Sequence, residues 1–445
     1  MSRTPCRILI VGCGIGGLAT AIGLRNAGHE LLMFERTTEF LDVGGGIQVP
    51  PNATKCLQHL GVLEAVKANA IQPQAIILRS YRDGEVLSRL TLVPDIELKY
   101  NSPFLNVHRN DLRNVLLERA KSLGVEIKLG SQVASIDLTA PSIELSSGKV
   151  YTADVVFGGD GDRSISRQAL LGYSDIPYHS GDQVFSIVLD AEAVRQQEDL
   201  KSFVDPPTTN VWFGPDAHVV AYMVRRDSFF HMILSRPEQN TQPIQSRPQQ
   251  TEIDELREFF KVWDPRYKRL LDTAQSAVKW TLTETTEPRT WRHCMGRFAL
   301  IGDSAHAMLP YLAQGAAQAF EDAAVLSALF TKIHHKSQIP DALAIYERLR
   351  KPRAIALKER SRAMRDINGM ADGPLQQERD RQLLQHAPFE GYPNPWADPV
   401  AQNWMFGYDA YKEGKDAWNI YVKGEWPSTT GMWKVTNQPG FLRHP

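Results

Sequence analysis

A run of glycines between two apolar segments near the N-terminus narrows the fold of this chain more than any other feature. Arg7 to Val11 reads as a buried β-strand, Gly12-Cys13-Gly14-Ile15-Gly16-Gly17 as a tight turn, and Leu18 to Ala27 as a helix. Gly28-His29 ends that helix, and Glu30 to Glu35 reads as the next strand. The same stretch, with Arg3 and Arg7 ahead of an uncharged run from Ile8 to Leu24, has the charge layout of a secretory leader. That reading fails on its glycines: Gly12, Gly14, Gly16, Gly17 and Gly23 are an odd choice for a greasy targeting helix. A βαβ unit accounts for all of them. Gly12 permits the turn, Gly14 lets the backbone approach a pyrophosphate, and Gly17 allows close helix–strand packing, with the helix N-terminus attracting phosphate. Glu35, 23 residues beyond Gly12, stands where a carboxylate accepts bonds from a ribose hydroxyl. An ADP-containing cofactor is the expectation. Glu35 favours FAD or NAD over NADP at this site, with neighbouring Arg36 as the one feature pulling the other way.

Charge excludes several alternatives. The 445 residues carry 50 Lys+Arg against 51 Asp+Glu, for a net charge of -1. A nucleic-acid binder would show a basic excess, and neither an acidic tail nor a polybasic membrane anchor is present. Four cysteines (Cys6, Cys13, Cys56, Cys294) without C-x-x-C spacing argue against a disulfide framework or a metal site and for a reducing, cytoplasmic location.

Two further glycine signals lie far downstream. Val150 to Phe157 is strand-like and runs into Gly158-Gly159-Asp160-Gly161, followed by a helix-like Ile165 to Leu171. Arg297 to Ile301 is another short apolar strand, followed by Gly302-Asp303-Ser304-Ala305-His306, and Gln314-Gly315-Ala316-Ala317 opens a long helix through Phe330. With these three motifs the chain resembles the single-component FAD-dependent aromatic hydroxylases (group A flavoprotein monooxygenases), in particular their salicylate-hydroxylase-like fungal branch. The resemblance spans nearly the whole chain.

It implies an α/β fold in which a Rossmann-like FAD-binding domain is interrupted by an inserted antiparallel β-sheet substrate domain. The boundaries it implies are 1–72, 107–172 and 290–350 for the FAD domain, 73–106 and 173–289 for the substrate domain, and 351–445 for a helical, Trp-rich extension. It makes Gly12, Gly14, Gly17, Glu35 and Arg36 the adenosine end, and Asp160 a contact for FAD and a passing nicotinamide. Asp303 becomes a ribityl contact, and Gly315 and Ala316 a helix start facing the flavin. Gly46 and Gln48, in the run Gly44 to Val49, match the family's mobile flavin loop, and Arg109 matches a cofactor-clamping arginine. Pro310 and Tyr311 border the substrate pocket. Only one G-x-G-x-x-G is present, which suits NAD(P)H visiting transiently rather than occupying a second site.

Strand-like segments between the second and third motifs, together with Ala75 to Arg79 and Val86 to Leu92, are the expected substrate sheet. Alternation in His218-Val219-Val220-Ala221-Tyr222-Met223-Val224 puts His218 and Tyr222 on one face. By resemblance that face bonds a phenol and relays its proton. Relatives often carry an arginine where this chain has Ser186. Arg195, Arg225 or Arg226 are the candidates to replace it, and Arg195 joins His218 and Tyr222 as a candidate catalytic residue. The stretch Arg236 to Gln250 reads as an exposed polar loop. Trp396, Trp404, Trp418, Trp426 and Trp433 mark a tail that packs on the body, covers the cavity, or forms a dimer surface in a monomer-or-homodimer protein.

The expected reaction, on the resemblance, consumes NAD(P)H and O2 and hydroxylates a small phenolic, polyketide- or salicylate-like ring through a flavin C4a-hydroperoxide. The competing expectation is an FAD-dependent oxidase or dehydrogenase on the same scaffold.

Overall fold

A computed structural model describes residues 5–40, 45–225, 228–238 and 249–425. The glycine-linked strands form a five-stranded, wholly parallel sheet in the order Phe298–Leu300, Val155–Gly158, Arg7–Val11, Glu30–Phe34, Glu126–Lys128. Apart from the edge strand Glu126–Lys128, these strands are largely apolar because both faces are covered, as a parallel sheet requires. One cover is the helix Ile15–Asn26, which lies against Gly315–Phe330, the long helix after the third motif. Their approach is close: a Cβ on Gly23 would come within 2.9 Å of the Ser327 Cβ, and Ser327 Oγ donates to Gly23 O at 3.0 Å. All three glycine motifs leave this sheet at its carboxyl edge, where chain order reverses and ligands of open α/β sheets bind.

The second large sheet has eight strands, in the order Gln249–Thr251, Ala277–Glu284, Tyr178–Asp190, Phe229–Pro237, Ala217–Val224, Thr209–Gly214, Ala75–Ser80, Val86–Thr91. It is not purely antiparallel, as the resemblance implied. Ala75–Ser80 and Thr209–Gly214 pair in parallel, with Ile77 opposite Asn210. These two strands come from distant segments, so no tight hairpin dictates their direction.

The boundary expected at residue 350 falls inside one helix, Ile339–Asn368, which continues through Pro352. Three later helices follow it: Pro374–Leu384, Pro399–Phe406 and Ala410–Val422. The last packs onto Gly315–Phe330, with Gly414 leaving room for a Cβ only 3.0 Å from the Ala328 Cβ, and Trp418 joins the main core. The segment after 351 is therefore built into the body. Trp426, Trp433, Gly44, Arg226 and most of the polar stretch after Arg236 lie outside the described residues. Among the described residues no helix is long and apolar enough to cross a membrane.

Candidate active site

One cavity of about 550 Å³ runs from the carboxyl edge of the parallel sheet to the face of the second sheet. It is lined by Gly12, Gly14, Glu35, Arg36, Gly46, Gln48, Arg109, Asp160, Asp303, Gly315 and Ala316 at one end. At the other it is lined by His218, Tyr222, Pro310 and Tyr311. Residues more than 300 positions apart thus meet around one space.

The nucleotide end is shaped by backbone. Gly12 has φ +99°, and a Cβ there would lie 2.4 Å from Gly159 O, so the first motif and the Asp160 loop touch directly. Gly17, which does not line the cavity, has the packing role expected of it: its Cβ would meet Gly12 O at 2.2 Å. Gly14 and Gly315 face open space, with nothing within 4 Å of an added Cβ. Both stand at helix starts, the geometry that accepts anionic groups. Glu35 is held in place by Cys13 N at 3.0 Å and Thr37 N at 3.0 Å.

The second and third motifs are tied together by Ser304, which sequence reasoning passed over. Its Oγ donates to Asp160 Oδ1 at 3.2 Å and accepts from Gly161 N at 3.0 Å. Asp160 also receives Ser164 Oγ at 2.5 Å and Ser166 N at 3.1 Å, so it caps the helix Ile165–Leu171 as well as lining the cavity. Gln48 lines the cavity while its buried Nε2 has no protein partner. A buried amide donor, open glycine backbone and two helix starts are the features an FAD needs, so the residues present fit that cofactor.

At the other end, His218 packs against Tyr311 with ring centroids 5.0 Å apart and ring planes tilted at 58°. Burial lowers the His218 pKa to about 4, so its ring is neutral at ordinary pH. Burial pushes the Tyr222 and Tyr311 hydroxyls up, the latter helped by neighbouring Asp182. Arg195 does not join them. It sits on the short helix Ala191–Arg195 and pairs with Asp205 at 3.1 Å and Glu192 at 3.6 Å, away from the cavity lining. Arg225 pairs with Asp111 at 3.4 Å, again outside the lining. Among the described residues, no arginine of the second sheet lines the cavity, and Arg226 lies outside them.

Ser186 has another role. Its Oγ is 2.8 Å from His231 Nε2, and His231 Nδ1 accepts from Gly46 N at 2.9 Å. His231 therefore ties the start of the strand Gly46–Val49 to the second sheet, with Tyr222 against it edge-on at 5.6 Å. Burial, with His108 nearby, lowers the His231 pKa to about 3. Sequence reasoning missed His231 and Ser235, although His231, Ile233 and Ser235 alternate like His218, Val220 and Tyr222 across from them. It also missed Asn368 and left open the role of Trp396. Both line the cavity.

The two histidines make a testable pH dependence. Each has a folded pKa below its ordinary value, so the unfolded chain takes up protons first as pH falls below about 6.5. Stability is full above that value and declines below it, by up to about 1.4 kcal/mol per pH unit for each histidine. Melting temperature should therefore drop between about pH 6.5 and 5, before the carboxylates titrate. A Tm that holds level across that window would contradict the buried neutral state.

Comparison with known proteins agrees with this geometry. Residues 5–361 match the family described as "FAD binding domain". FAD-dependent monooxygenase OpS4 of Beauveria bassiana (strain ARSEF 2860) is 37% identical over 412 residues, covering 92% of this chain and 96% of that protein. The 3-amino-4-hydroxybenzoate 2-monooxygenase PtnB3 of Streptomyces platensis is 32% identical, covering 92% of this chain and 97% of that one. A salicylate hydroxylase substrate complex superposes with TM-score 0.78 at 23% identity, over 94% of this chain and 98% of that one. With the glycine motifs, cavity and relatives in agreement, the chain belongs to the FAD-binding-domain family and is an FAD-dependent monooxygenase of the aromatic-hydroxylase fold.

Proposed function

We propose that this enzyme hydroxylates a small phenolic ring, taking electrons from NAD(P)H and one oxygen atom from O2. The observation that carries the reading is the single cavity with a nucleotide-shaped wall facing a buried His–Tyr wall. PtnB3, by its name, acts on a hydroxylated ring. Bound FAD supplies reduction by the nicotinamide and transfer of activated oxygen to the ring.

The protein's own residues do the rest. The helix start at Gly315 lines the cavity, where its amides would stabilise negative charge on a bound flavin, in the orientation the helix dipole favours. Trp396, Met308 and Pro310 line the cavity with apolar surface and keep water from the ring. His218, neutral through burial, accepts or donates a hydrogen bond without bringing charge. Tyr222 lies beside the start of the strand Gly46–Val49: a Cβ on Gly46 would be 2.5 Å from its ring and 2.8 Å from its hydroxyl oxygen. That position puts a polar group where ring and cofactor meet.

The decisive experiment follows NADH and NADPH oxidation across a panel of phenols under labelled O2, with product mass analysis. A product heavier by one labelled oxygen supports hydroxylation. Oxygen consumption without NAD(P)H and without a heavier product would establish the oxidase reading instead. Tyr222→Phe should slow hydroxylation about 10- to 100-fold while FAD content stays unchanged. Wild-type turnover in that variant would remove Tyr222 from the chemistry.

A further inference from the structure

The wall behind His218 contains a hydrogen-bonded chain whose direction follows from counting protons. Asp182 is buried, at 6% exposure, and its Oδ2 accepts from the Tyr311 hydroxyl at 2.5 Å. Ser235 Oγ lies 3.0 Å from the same Tyr311 oxygen. A tyrosine has one hydroxyl proton, and here it is committed to Asp182. Tyr311 therefore accepts from Ser235, which spends its own single proton on that bond. The lone pairs of Ser235 Oγ are left as acceptors. Ser235 and Tyr311 line the cavity and Asp182 stands behind them, so the chain terminates toward the ligand in an acceptor.

A second buried acceptor lies at the same end. Asn368 closes the helix Ile339–Asn368, is 3% exposed, lines the cavity, and its Oδ1 has no protein partner. The sheet residues around these groups, Val184, Val211, Val220 and Ile233, are apolar. The arginines that line the cavity, Arg36, Arg109 and Arg163, belong to the nucleotide-motif segments. A ligand carboxylate brings no hydrogen to donate to these two acceptors, and beside Ser235 it would stand close to the Asp182 charge.

We propose that this end of the cavity selects an uncarboxylated ring whose hydroxyl donates to Ser235 Oγ, and that Asp182 receives the phenol's proton through Ser235 and Tyr311. The inference rests on the phenol-hydroxylase reading and narrows its substrate class. In the transfer the phenol O–H bond breaks and a new O–H forms on Ser235. The serine's former proton passes to Tyr311 and the tyrosine's to Asp182. The ring is left as phenolate and Asp182 as the neutral acid, with no change of oxidation state. Ser235 touches the ring, and Tyr311 and Asp182 are positioning residues that act through it. The groups facing Asp182 are Tyr311, Arg365 at 3.9 Å with adjacent Asp366 on the 339–368 helix, and His179 on its own strand, itself paired with Glu238. Burial raises the Asp182 carboxyl pKa, opposed by the Tyr311 hydrogen bond and Arg365.

The test uses FAD-loaded enzyme and a panel of phenols (resorcinol, catechol, para-nitrophenol) against their matched hydroxybenzoates, with binding read from perturbation of the flavin absorbance. The phenols should bind at least about tenfold tighter than their carboxylated partners. Ser235→Ala should weaken phenol binding about tenfold and leave the benzoates unchanged. Asp182→Asn should move ionisation of bound para-nitrophenol, followed by its visible phenolate band, to higher pH. If Asp182→Asn does not fold, Ser235→Ala, which leaves the Tyr311–Asp182 bond intact, carries the test. Tighter binding of the benzoates, no binding by any phenol, or variants with unaltered preference and phenolate pH profile would overturn the proposal. Product mass separates it from the reading it rests on. Oxygenated, tightly bound benzoates would sink the inference and keep the hydroxylase. The stated binding preference without oxygen transfer to any ring would do the reverse.

Discussion

Gly12→Ala is expected to abolish FAD retention and to destabilise the protein by about 3 kcal/mol or more. Two independent costs coincide at this position. The backbone sits at φ +99°, a region an L-residue with a Cβ enters only under strain. The new Cβ would also stand 2.4 Å from Gly159 O and 2.8 Å from its carbonyl carbon. Neither partner has freedom to retreat. Gly12 N donates to Phe34 O at 2.8 Å, and Gly159 N donates to Val11 O at 2.8 Å, so each loop is pinned to the strand next to the one it leaves. Gly14→Ala is the informative contrast, because φ there is -71° and an added Cβ meets only open space. That variant should fold with nearly unchanged Tm and bind FAD weakly, since the methyl occupies room beside the helix start. Tm and the flavin-to-protein absorbance ratio measure both effects. A Gly12→Ala protein that is yellow and melts like the wild type would refute the argument.

Arg350→Met is expected to cost about 3–5 kcal/mol, the range for removing one partner of a buried ion pair. Arg350 is fully buried and bonds Glu321 at 2.5 Å, Asp322 at 2.9 Å and the Gln318 side chain at 2.5 Å. Arg353 also reaches Glu321, at 2.8 Å, but among the described ion pairs Asp322 would keep only His306 at 2.7 Å. Both carboxyls have lowered pKa values in the intact protein, burial being outweighed for Glu321 by Arg353 and Arg350, and for Asp322 by His306 and Arg350. Without Arg350 burial would win, at least for Asp322, and raise its pKa. A carboxyl with a raised folded pKa is destabilising when charged and is relieved as pH falls, so the variant's deficit relative to the wild type should narrow on mild acidification.

The damage should reach the cofactor as well. Asp322 accepts from Gly302 N at 2.9 Å and so holds the turn that carries Asp303. Glu321 bonds Asn52 at 2.7 Å, and Asn52 bonds Gln314 at 3.0 Å, at the start of the helix Gly315–Phe330 that lines the cavity. Reduced FAD affinity together with a lowered Tm is the expected pair of results. A Tm within about 1 kcal/mol equivalent of wild type would show the cluster to be dispensable.

Much of the cofactor end was legible in the chain because it is written locally. A turn that needs positive φ, a strand before it and a helix after it all lie within a few dozen residues, as they do around Gly12, Asp160 and Asp303. The face shared by His218 and Tyr222 was legible for a similar reason, since alternation in one strand is a local property. Other features had no local trace. That Tyr222 lies opposite His231, and His218 opposite Ser235, is a matter of register between strands. The Tyr311–Asp182 bond joins residues 129 positions apart. Arg195 was selected as a cation near an expected gap, but Asp205 and Glu192 bind it elsewhere.

The sequence by itself determined the parallel sheet, the three glycine turns at its edge and the class of cofactor they suit. Backbone conformation and helix capping depend on neighbours in the chain, so those features survive without knowledge of the rest. Only the tertiary structure decided the ligand end of the cavity. It brought Trp396 and Asn368 to the cavity wall, tied the strand Gly46–Val49 to Ser186 through His231, and set Ser235 as an acceptor backed by Tyr311 and Asp182. Those contacts arise when separately coded strands and helices are packed into register, and a hydrogen bond's direction depends on every partner in that packing.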